Sequence, residues 1–370
     1  MGGDGFGEQL PLAGERVVVA MSGGVDSSVA AALLHERGCE VIGITLSLWE
    51  DPDPCAPEGG CCTPEDILDA RRVCAAIGIR HYLLNYRTDF QEKVLDPFVA
   101  AYRAGETPNP CVRCNNHLKF DLLVRRSREL EAAWLATGHY AQLLRDSEGK
   151  TRLFRGLDRS KDQSYFLYGT PVGSLPMLCF PLGGMDKDQV RAEGARLGVR
   201  TVDKPDSQDV CFIPGGDTAA FVQSQGGGAE PGDIVDEAGA VLGQHPGIHA
   251  FTVGQRRGIG VSGPEPLYVQ KIDAARRRLV VATADRLESR EVWADDWNWL
   301  RRPGADEVLG AQIRYRSEPT AVAGVSDDGR VLISLSEAAS AVAPGQAVVL
   351  YGGPEGAEVL GGGTIRRPPN

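Results

Sequence analysis

Two groups of residues in this sequence have types and spacings suited to chemistry. The first is Ser22-Gly23-Gly24-Val25-Asp26-Ser27-Ser28. Adjacent glycines let the backbone turn tightly with its N–H groups exposed. A helix opening at this point would add unpaired N–H donors and a field that favours anions. Ser22, Ser27 and Ser28 supply hydroxyls as well. Such a loop could cradle phosphates, although it is not a Walker A loop, because no Gly-Lys-Ser/Thr closes it. The plainer alternative is a serine-capped turn from strand to helix.

The second group is built on sulfur. Thr107-Pro108-Asn109-Pro110-Cys111-Val112-Arg113-Cys114-Asn115 precedes a helix predicted over residues 118–130, and Asp206-Ser207-Gln208-Asp209-Val210-Cys211-Phe212-Ile213 adds a distant cysteine. A thiol near a helix N-terminus and beside Arg113 should carry more thiolate, and so be more nucleophilic. Three readings stay open. Cys111 and Cys114 could form a redox disulfide, the three cysteines could hold a metal or an iron–sulfur cluster, or Cys114 and Cys211 could hand sulfur between them. Cys55, Cys61 and Cys62 form another group, in a Pro/Gly-rich stretch that reads as a plain loop or as a second metal site. Cys39, Cys74 and Cys179 lie among apolar residues and read as packing.

The elements that must position these residues follow from pattern. Residues 16–21 (RVVVAM) read as a buried parallel strand, and residues 25–37 as the helix after the glycine turn. A second strand is predicted over 40–48. A helix follows from Thr63-Pro64-Glu65-Asp66 to a stop at Gly78. Further strands fall at 80–86 and 133–137, with a helix over 89–103. This alternation predicts a doubly wound parallel α/β sheet. Beyond about Pro214 the texture turns to short strands separated by turn residues, at 267–272, 278–283, 311–315, 331–335 and 347–351, which predicts small all-β modules.

A chain of 370 residues suggests two or three domains. Its net charge of -11 argues against an indiscriminate nucleic-acid coat, but leaves room for local basic patches. Arg125-Arg126, Arg256-Arg257, Arg276 to Arg278 and Arg301-Arg302 are such patches. Arg314-Tyr315-Arg316 pairs charge with a stacking ring and is the better RNA candidate. No apolar run reaches membrane-helix length. The first fifteen residues, with Asp4, Glu8 and Glu15, lack signal and transit character, so the cytoplasm is the expected location. An odd nine cysteines argue against a secreted disulfide framework. His139 could touch a phosphate or adenine, or be a satisfied histidine at a strand end.

The loop resembles the pyrophosphate-binding loop (PP-loop) of the adenine nucleotide hydrolase-like superfamily, whose members activate an oxygen as an adenylate and release pyrophosphate. The surrounding text is similar to the tRNA-specific 2-thiouridylase family. Its matching segments are SGGVDSS, Trp49-Glu50-Asp51, TPNPxxxCN, Ala136-Thr137-Gly138-His139-Tyr140, Lys161-Asp162-Gln163-Ser164-Tyr165-Phe166-Leu167, DSQDVCFI and Val253-Gly254-Gln255-Arg256-Arg257-Gly258.

The resemblance implies a PP-loop, HUP-like catalytic domain over residues 1–214, a small central β domain over 215–286 and a C-terminal β-barrel over 287–370. It implies ATP adenylation of the C2 oxygen of the wobble uridine in the lysine, glutamate and glutamine tRNAs. Sulfur transfer then gives 2-thiouridine, AMP and pyrophosphate. Cys114 matches the family nucleophile, and Cys211 the cysteine that carries sulfur as a persulfide. Ala20, Met21, Ser22, Gly23, Gly24, Val25, Asp26, Ser27, Leu46 and Gly138 match ATP contacts. Asn109, Pro110 and Cys111 match the segment at the target base. Lys161, Asp162, Gln163, Arg314 and Tyr315 match tRNA contacts. Magnesium is expected on the pyrophosphate. A cysteine desulfurase or sulfur-relay protein is expected as donor, with no membrane partner. Cys111 departs from the pattern, standing where many members carry an aspartate. It also makes three cysteines available, enough for a [4Fe-4S] cluster with one open position. The alternatives are another adenylating tRNA sulfurtransferase that uses such a cluster, and a non-catalytic tRNA-binding sulfur-relay protein.

Overall fold

The computed structural model describes residues 6–49, 63–205, 210–226 and 230–369. Cys55, Cys61 and Cys62, together with Glu50, Asp51 and residues 206–209, lie outside the described residues. The chain divides into two compact units. One comprises Met1–Lys93, Cys111–Gly216 and Ala357–Leu360; the other comprises Val94–Pro110, Asp217–Gly356 and Gly361–Asn370.

The first unit contains β1 (Gly7–Glu8), β2 (Arg16–Ala20), α1 (Val25–Glu36), β3 (Glu40–Ser47), α2 (Pro64–Ile77), β4 (Arg80–Asn85), β5 (Trp134–Ala136), β6 (Ala141–Arg145), β7 (Thr151–Arg155) and β8 (Leu178–Cys179). Five strands form a parallel sheet in the order β4-β3-β2-β5-β8. The connections reverse direction between β2 and β5. In open α/β sheets a ligand crevice lies at such a reversal, outside the carboxyl ends of the strands.

The packing around α1 follows from its composition. It is apolar on most of its circumference, as a helix buried on two sides must be. Ala31 and Leu34 join Val17 and Val19 of β2 and Ala70, Val73 and Cys74 of α2. Val25, Val29, Ala30 and Ala32 meet Val190, Val199 and Leu182. α2 starts at a capping box in which Thr63 and Asp66 satisfy each other's backbone donors, and it ends at Gly78 with a left-handed φ of 77°.

Sequence expectations change in this unit. The helix predicted over 118–130 begins earlier, at Pro110–Cys114, and continues as a π-helical stretch, Asn115–Leu123. Pro110 starts it because a proline at the first helical position loses no intrahelical bond and has its φ preset. The antiparallel β6–β7 hairpin, with β1 on its outer edge, was not expected and lies outside the parallel sheet.

In the second unit, β9 (Gly232–Val235), β10 (Val241–His245), β11 (Tyr268–Asp273) and β12 (Arg278–Ala282) form a sheet in the order β10-β9-β12-β11. Its core includes Ile234, Phe251, Val269, Ile272 and Leu279. β13 (Glu288–Trp299), β14 (Gly310–Gln312), β15 (Thr320–Asp327), β16 (Val331–Ser340), β17 (Ala347–Gly352) and β18 (Glu358–Arg366) follow. Their order is β18-β13-β16-β15-β14-β17, and pairing of β18 with β17 closes the barrel. Closure removes the exposed edges that an open sheet would leave. Val292, Ala294, Ile333, Val348 and Ile365 fill the interior. The predicted strand 311–315 stops at Gln312, so Arg314 and Tyr315 lie in a turn, where Arg316 has a φ of 67°.

Candidate active site

The glycine-serine loop leaves the carboxyl end of β2 at the point where the sheet reverses. Met21 N–H donates to Ile44 O at 2.8 Å, which keeps the loop's start in register with β3. Gly23 has a φ of 78°, and a Cβ there would lie 2.2 Å from the carbonyl oxygen of Asp66. Both the conformation and the space therefore demand glycine. Gly24 caps α1 with extended backbone and no side-chain bond. The first-turn N–H groups of Val25, Asp26 and Ser27 thus have no intrahelical acceptor, as at any helix start. The Ser22 and Ser27 hydroxyls lie 3.2 Å apart, and Ser22 N–H donates to Ser27 Oγ at 3.1 Å. Gly138, just after β5, faces the loop from across the reversal. A Cβ there would sit 2.7 Å from both Asp26 C and Ser27 N. The glycine-lined turn, hydroxyls and helix start fit the phosphate chain of a nucleotide, and Leu46, buried in β3, belongs to the neighbouring strand.

Asp26 is held from two sides. Its Oδ1 accepts from Lys187 Nζ at 2.7 Å and from the Tyr140 hydroxyl at 2.8 Å. Lys204 Nζ donates to Asp66 at 2.7 Å, Asp69 at 2.8 Å and Gly23 O at 3.4 Å. Its neighbouring carboxylates raise the pKa of the Lys204 ammonium despite partial burial. His139 is buried. Its Nδ1 pairs with Thr137 Oγ1 at 2.6 Å, and its ring packs near Phe120 and Phe180. Burial, with a smaller contribution from Lys119, pushes its pKa well below the ordinary value. His139 is therefore a satisfied, neutral core histidine.

Cys111 and Cys114 lie three residues apart in the helix Pro110–Cys114, a spacing that shares one helical face. Both are half-buried, as is Cys211. Arg113 Nε donates to Lys93 O at 2.7 Å, and buried Asn115 donates to Phe166 O at 3.1 Å, so both flanks of Cys114 are tied to the framework. Around Cys211, Ile213 N–H closes a turn onto Val210 O at 3.0 Å. Phe212 is buried edge-on against Phe90, with centroids 5.4 Å apart. Cys39, Cys74 and Cys179 are buried free thiols, and burial raises the pKa of each. Among the described residues no three His, Cys, Asp or Glu side chains converge as a metal-holding group.

Matches to known families cover nearly all of the chain. Residues 15–215 match the tRNA methyl transferase HUP domain, residues 219–283 the tRNA methyl transferase PRC-barrel domain, and residues 289–365 the aminomethyltransferase beta-barrel domain. A relative from Geobacter metallireducens is 48% identical over 95% of this chain and 96% of its own length. One from Rhodospirillum rubrum is 48% identical over 96% of this chain and 97% of its own length. One from Magnetococcus marinus is 46% identical over 95% of this chain and 99% of its own length. All three are named tRNA-specific 2-thiouridylase MnmA. The chain belongs to the tRNA-specific 2-thiouridylase family.

The residues that the family pattern assigns to tRNA differ in how much of each side chain the fold already uses. Asp162 is buried and accepts from Arg155 Nε at 2.8 Å, and from Gly156 N, Ser164 N and Ser164 Oγ at 3.0 Å each. Gln163 exchanges bonds with the Tyr140 backbone, through N–H to Tyr140 O at 2.9 Å and Oε1 from Tyr140 N at 3.0 Å. Gln163 braces the loop after β5 and Asp162 the turn after β7, while neighbouring Lys161 is half-buried. In the second unit Arg314 is exposed but donates to Ala341 O at 2.5 Å, and the Arg316 guanidinium sits 5.3 Å from the Tyr315 ring centroid. Asn109 and Pro110 also belong to that unit.

Sequence reasoning missed the two lysines. Lys187 follows Asp186, which opens a capping box with Gln189, a visible helix-start signal that places the lysine in a first turn. Lys204 immediately precedes the Pro205-Asp206-Ser207 run, so its closeness to the Cys211 segment was visible. Its contact with Gly23 was not. No described helix is long and apolar enough to cross a membrane.

Proposed function

We propose that this chain 2-thiolates the wobble uridine of the lysine, glutamate and glutamine tRNAs at the expense of ATP. The uridine C2 oxygen attacks the α-phosphorus of ATP, and pyrophosphate leaves. The loop Ala20-Met21-Ser22-Gly23-Gly24-Val25-Asp26-Ser27 holds the phosphates, with Leu46 and Gly138 bordering the nucleotide. Magnesium, when bound, neutralises phosphate charge. The terminal sulfur of a Cys211 persulfide attacks C2, and AMP departs with the original oxygen. Cys114 attacks Cys211 Sγ, so the sulfane sulfur is released at the thiocarbonyl level while the two cysteines become a disulfide. Two electrons pass from the thiols to the sulfane sulfur, and an external dithiol reductant regenerates the pair. A cysteine desulfurase or a sulfur-relay protein supplies the persulfide.

The observation that carries this reading is the pairing of two features in one unit. A phosphate-type loop sits at the sheet reversal, and Cys114 and Cys211 belong to the same unit as that loop. A non-catalytic sulfur-relay protein would have no use for a loop closed by Gly23, Gly138 and the Asp26–Lys187 pair. The test is nucleoside mass spectrometry of tRNA from cells lacking this protein. Loss of 2-thiouridine, restored by the wild-type chain but not by Asp26→Ala, is expected. Unchanged 2-thiouridine overturns the proposal.

A further inference from the structure

The segment leading into the cysteine helix is fixed inside the second unit by contacts with distant parts of the chain. Thr107 N–H donates to Pro344 O at 2.8 Å, and Gln346 Nε2 donates to Thr107 O at 2.9 Å. Both backbone groups of Thr107 are therefore taken by the turn before β17, 239 residues away on the Gln346 side. Gly345, within that turn, has a φ of 92°. A Cβ there would lie 2.8 Å from Thr107 N and 2.9 Å from Thr107 C. The Thr107 hydroxyl donates to Thr252 Oγ1 at 3.2 Å. Glu106 pairs with Arg366 at 2.8 Å. Gly105 has a φ of 71°, and a Cβ there would lie 2.6 Å from Ile272 Cγ2. Residues 105–107 are thus gripped by the barrel through Pro344, Gly345, Gln346 and Arg366, and by the central sheet through Thr252 and Ile272.

A surface loop does not need this arrangement. Side chains are usually what anchor a loop; here a glycine is required so that two backbones can approach. Two residues beyond Thr107 stand Asn109 and Pro110, then Cys111. We infer that Gly345 and Gln346 are positioning residues, through which the C-terminal barrel sets the backbone that presents Asn109 and Pro110, of the same unit, to the target base. The inference rests on the proposed function, because the base is that reaction's substrate. Misplacement of a positioning element far from the reacting atoms lowers turnover more than affinity.

Gln346→Met keeps length and apolar bulk but removes the donor to Thr107 O. Gln346→Lys restores a donor at similar reach. Gly345→Ala is the harsher variant; should it fail to fold, the Gln346 pair still decides. Two readouts are needed in full-length protein. The first is hydrogen–deuterium exchange of residues 105–116, which requires no activity. The second is tRNA thiolation, with kcat and KM for tRNA separated. Gln346→Met should speed exchange in 105–116 but not in residues 22–28, and lower kcat by about tenfold at unchanged KM. Gln346→Lys should recover most of the loss. Unchanged exchange overturns the inference. So does faster exchange with normal kcat, which would make the grip merely structural, and so does a rise in KM alone, which would make the barrel an RNA-binding element only. A wild-type chain inactive on tRNA would refute the proposed function, and is read separately from the exchange result.

Discussion

Asp26 Oδ1 is shared between Lys187 Nζ at 2.7 Å and the Tyr140 hydroxyl at 2.8 Å, so the first acidic residue of α1 is fixed by a residue 161 positions away. Lys187 is largely buried, and burying an ammonium group is costly unless it is paired and hydrogen-bonded. The pair therefore sets both the orientation of Asp26 and the charge beside the loop.

Substitutions at this relationship should separate folding from turnover. Asp26→Ala and Ser27→Ala are expected to abolish tRNA-dependent pyrophosphate release; Ser27→Ala should stay as stable as wild type, whereas Asp26→Ala should lose stability, because it takes the carboxylate from the more buried Lys187 ammonium. Lys187→Met should lower release and also destabilise the protein, by about 3 kcal/mol at most, because it leaves a partly exposed carboxylate unpaired. Circular dichroism melts and a pyrophosphate assay on the same preparations decide the matter. Normal release in all three variants would remove the loop from the chemistry.

Gly23 and Gly138 offer a steric test of the same loop. Gly23→Ala places a methyl group against the Asp66 carbonyl at a left-handed φ, and strained backbone of that kind alone costs about 1–3 kcal/mol. Gly138→Ala strikes the Asp26–Ser27 peptide without any φ penalty. Both should lose ATP binding, measured by calorimetry, and Gly23→Ala should lose more stability. ATP affinity matching wild type in Gly138→Ala would show that the loop after β5 does not border the nucleotide.

How much of this was legible in the sequence depends on the range of the interactions. The capping box at Thr63 and Asp66, the stop at Gly78 and the β-branched run of β2 are local signals, and the structure bears them out. The β6–β7 hairpin was missed because its strands are short and carry arginines at their ends, so they read as polar surface. β13 hid for a related reason. Its acidic residues face outward, where Asp295 pairs with Arg330 at 2.6 Å, so the strand lacks a continuous apolar run. At the site, the glycine-serine string was plain. The grip of Lys187 and Lys204 on it was not, because nothing local to either lysine specifies a partner more than 130 residues away.

The buried and half-buried histidines should make the protein sensitive to acid. Burial lowers the pKa of His139 well below the ordinary value, and it also lowers His81, His117, His245 and His249. Below roughly pH 6.5 the unfolded chain then binds more protons than the folded one, so stability falls as pH falls. It is fully present above that pH. The expectation is a urea midpoint that drops on going from about pH 7.5 to about pH 5.5, while the His139 ring signals in NMR spectra stay in their neutral positions. A His139 that titrates near its ordinary value in the folded protein would contradict its assignment as a neutral core residue.

The turn holding Arg314, Tyr315 and Arg316 should act on tRNA and not on ATP. Tyr315→Ala removes the ring against which the Arg316 guanidinium rests. Loss of one stacked base would weaken tRNA binding by about 1–3 kcal/mol. Arg316→Ala should weaken it less and flatten its salt dependence by about one phosphate contact. Filter binding across a salt series, with ATP calorimetry as control, reads both. Unaltered tRNA affinity in both variants would exclude the turn from the RNA surface.

The three cysteines permit the sharpest division between routes of sulfur transfer. A serine hydroxyl cannot carry sulfane sulfur or close a disulfide, so Cys114→Ser and Cys211→Ser should each stop thiolation. Neither should stop the adenylation that precedes sulfur attack. Cys111→Asp should retain thiolation, because the family resemblance implies an aspartate at this position. If all three thiolates instead held a cluster, Cys111→Asp would replace a soft sulfur ligand by a hard oxygen and weaken it. The measurement is thiolation by Cys111→Asp purified with and without oxygen, with iron and labile sulfide quantified in each sample. Full activity without iron, fed by a persulfide donor, is the expected result. Activity that tracks iron content, in the wild-type protein as well, would overturn the persulfide route.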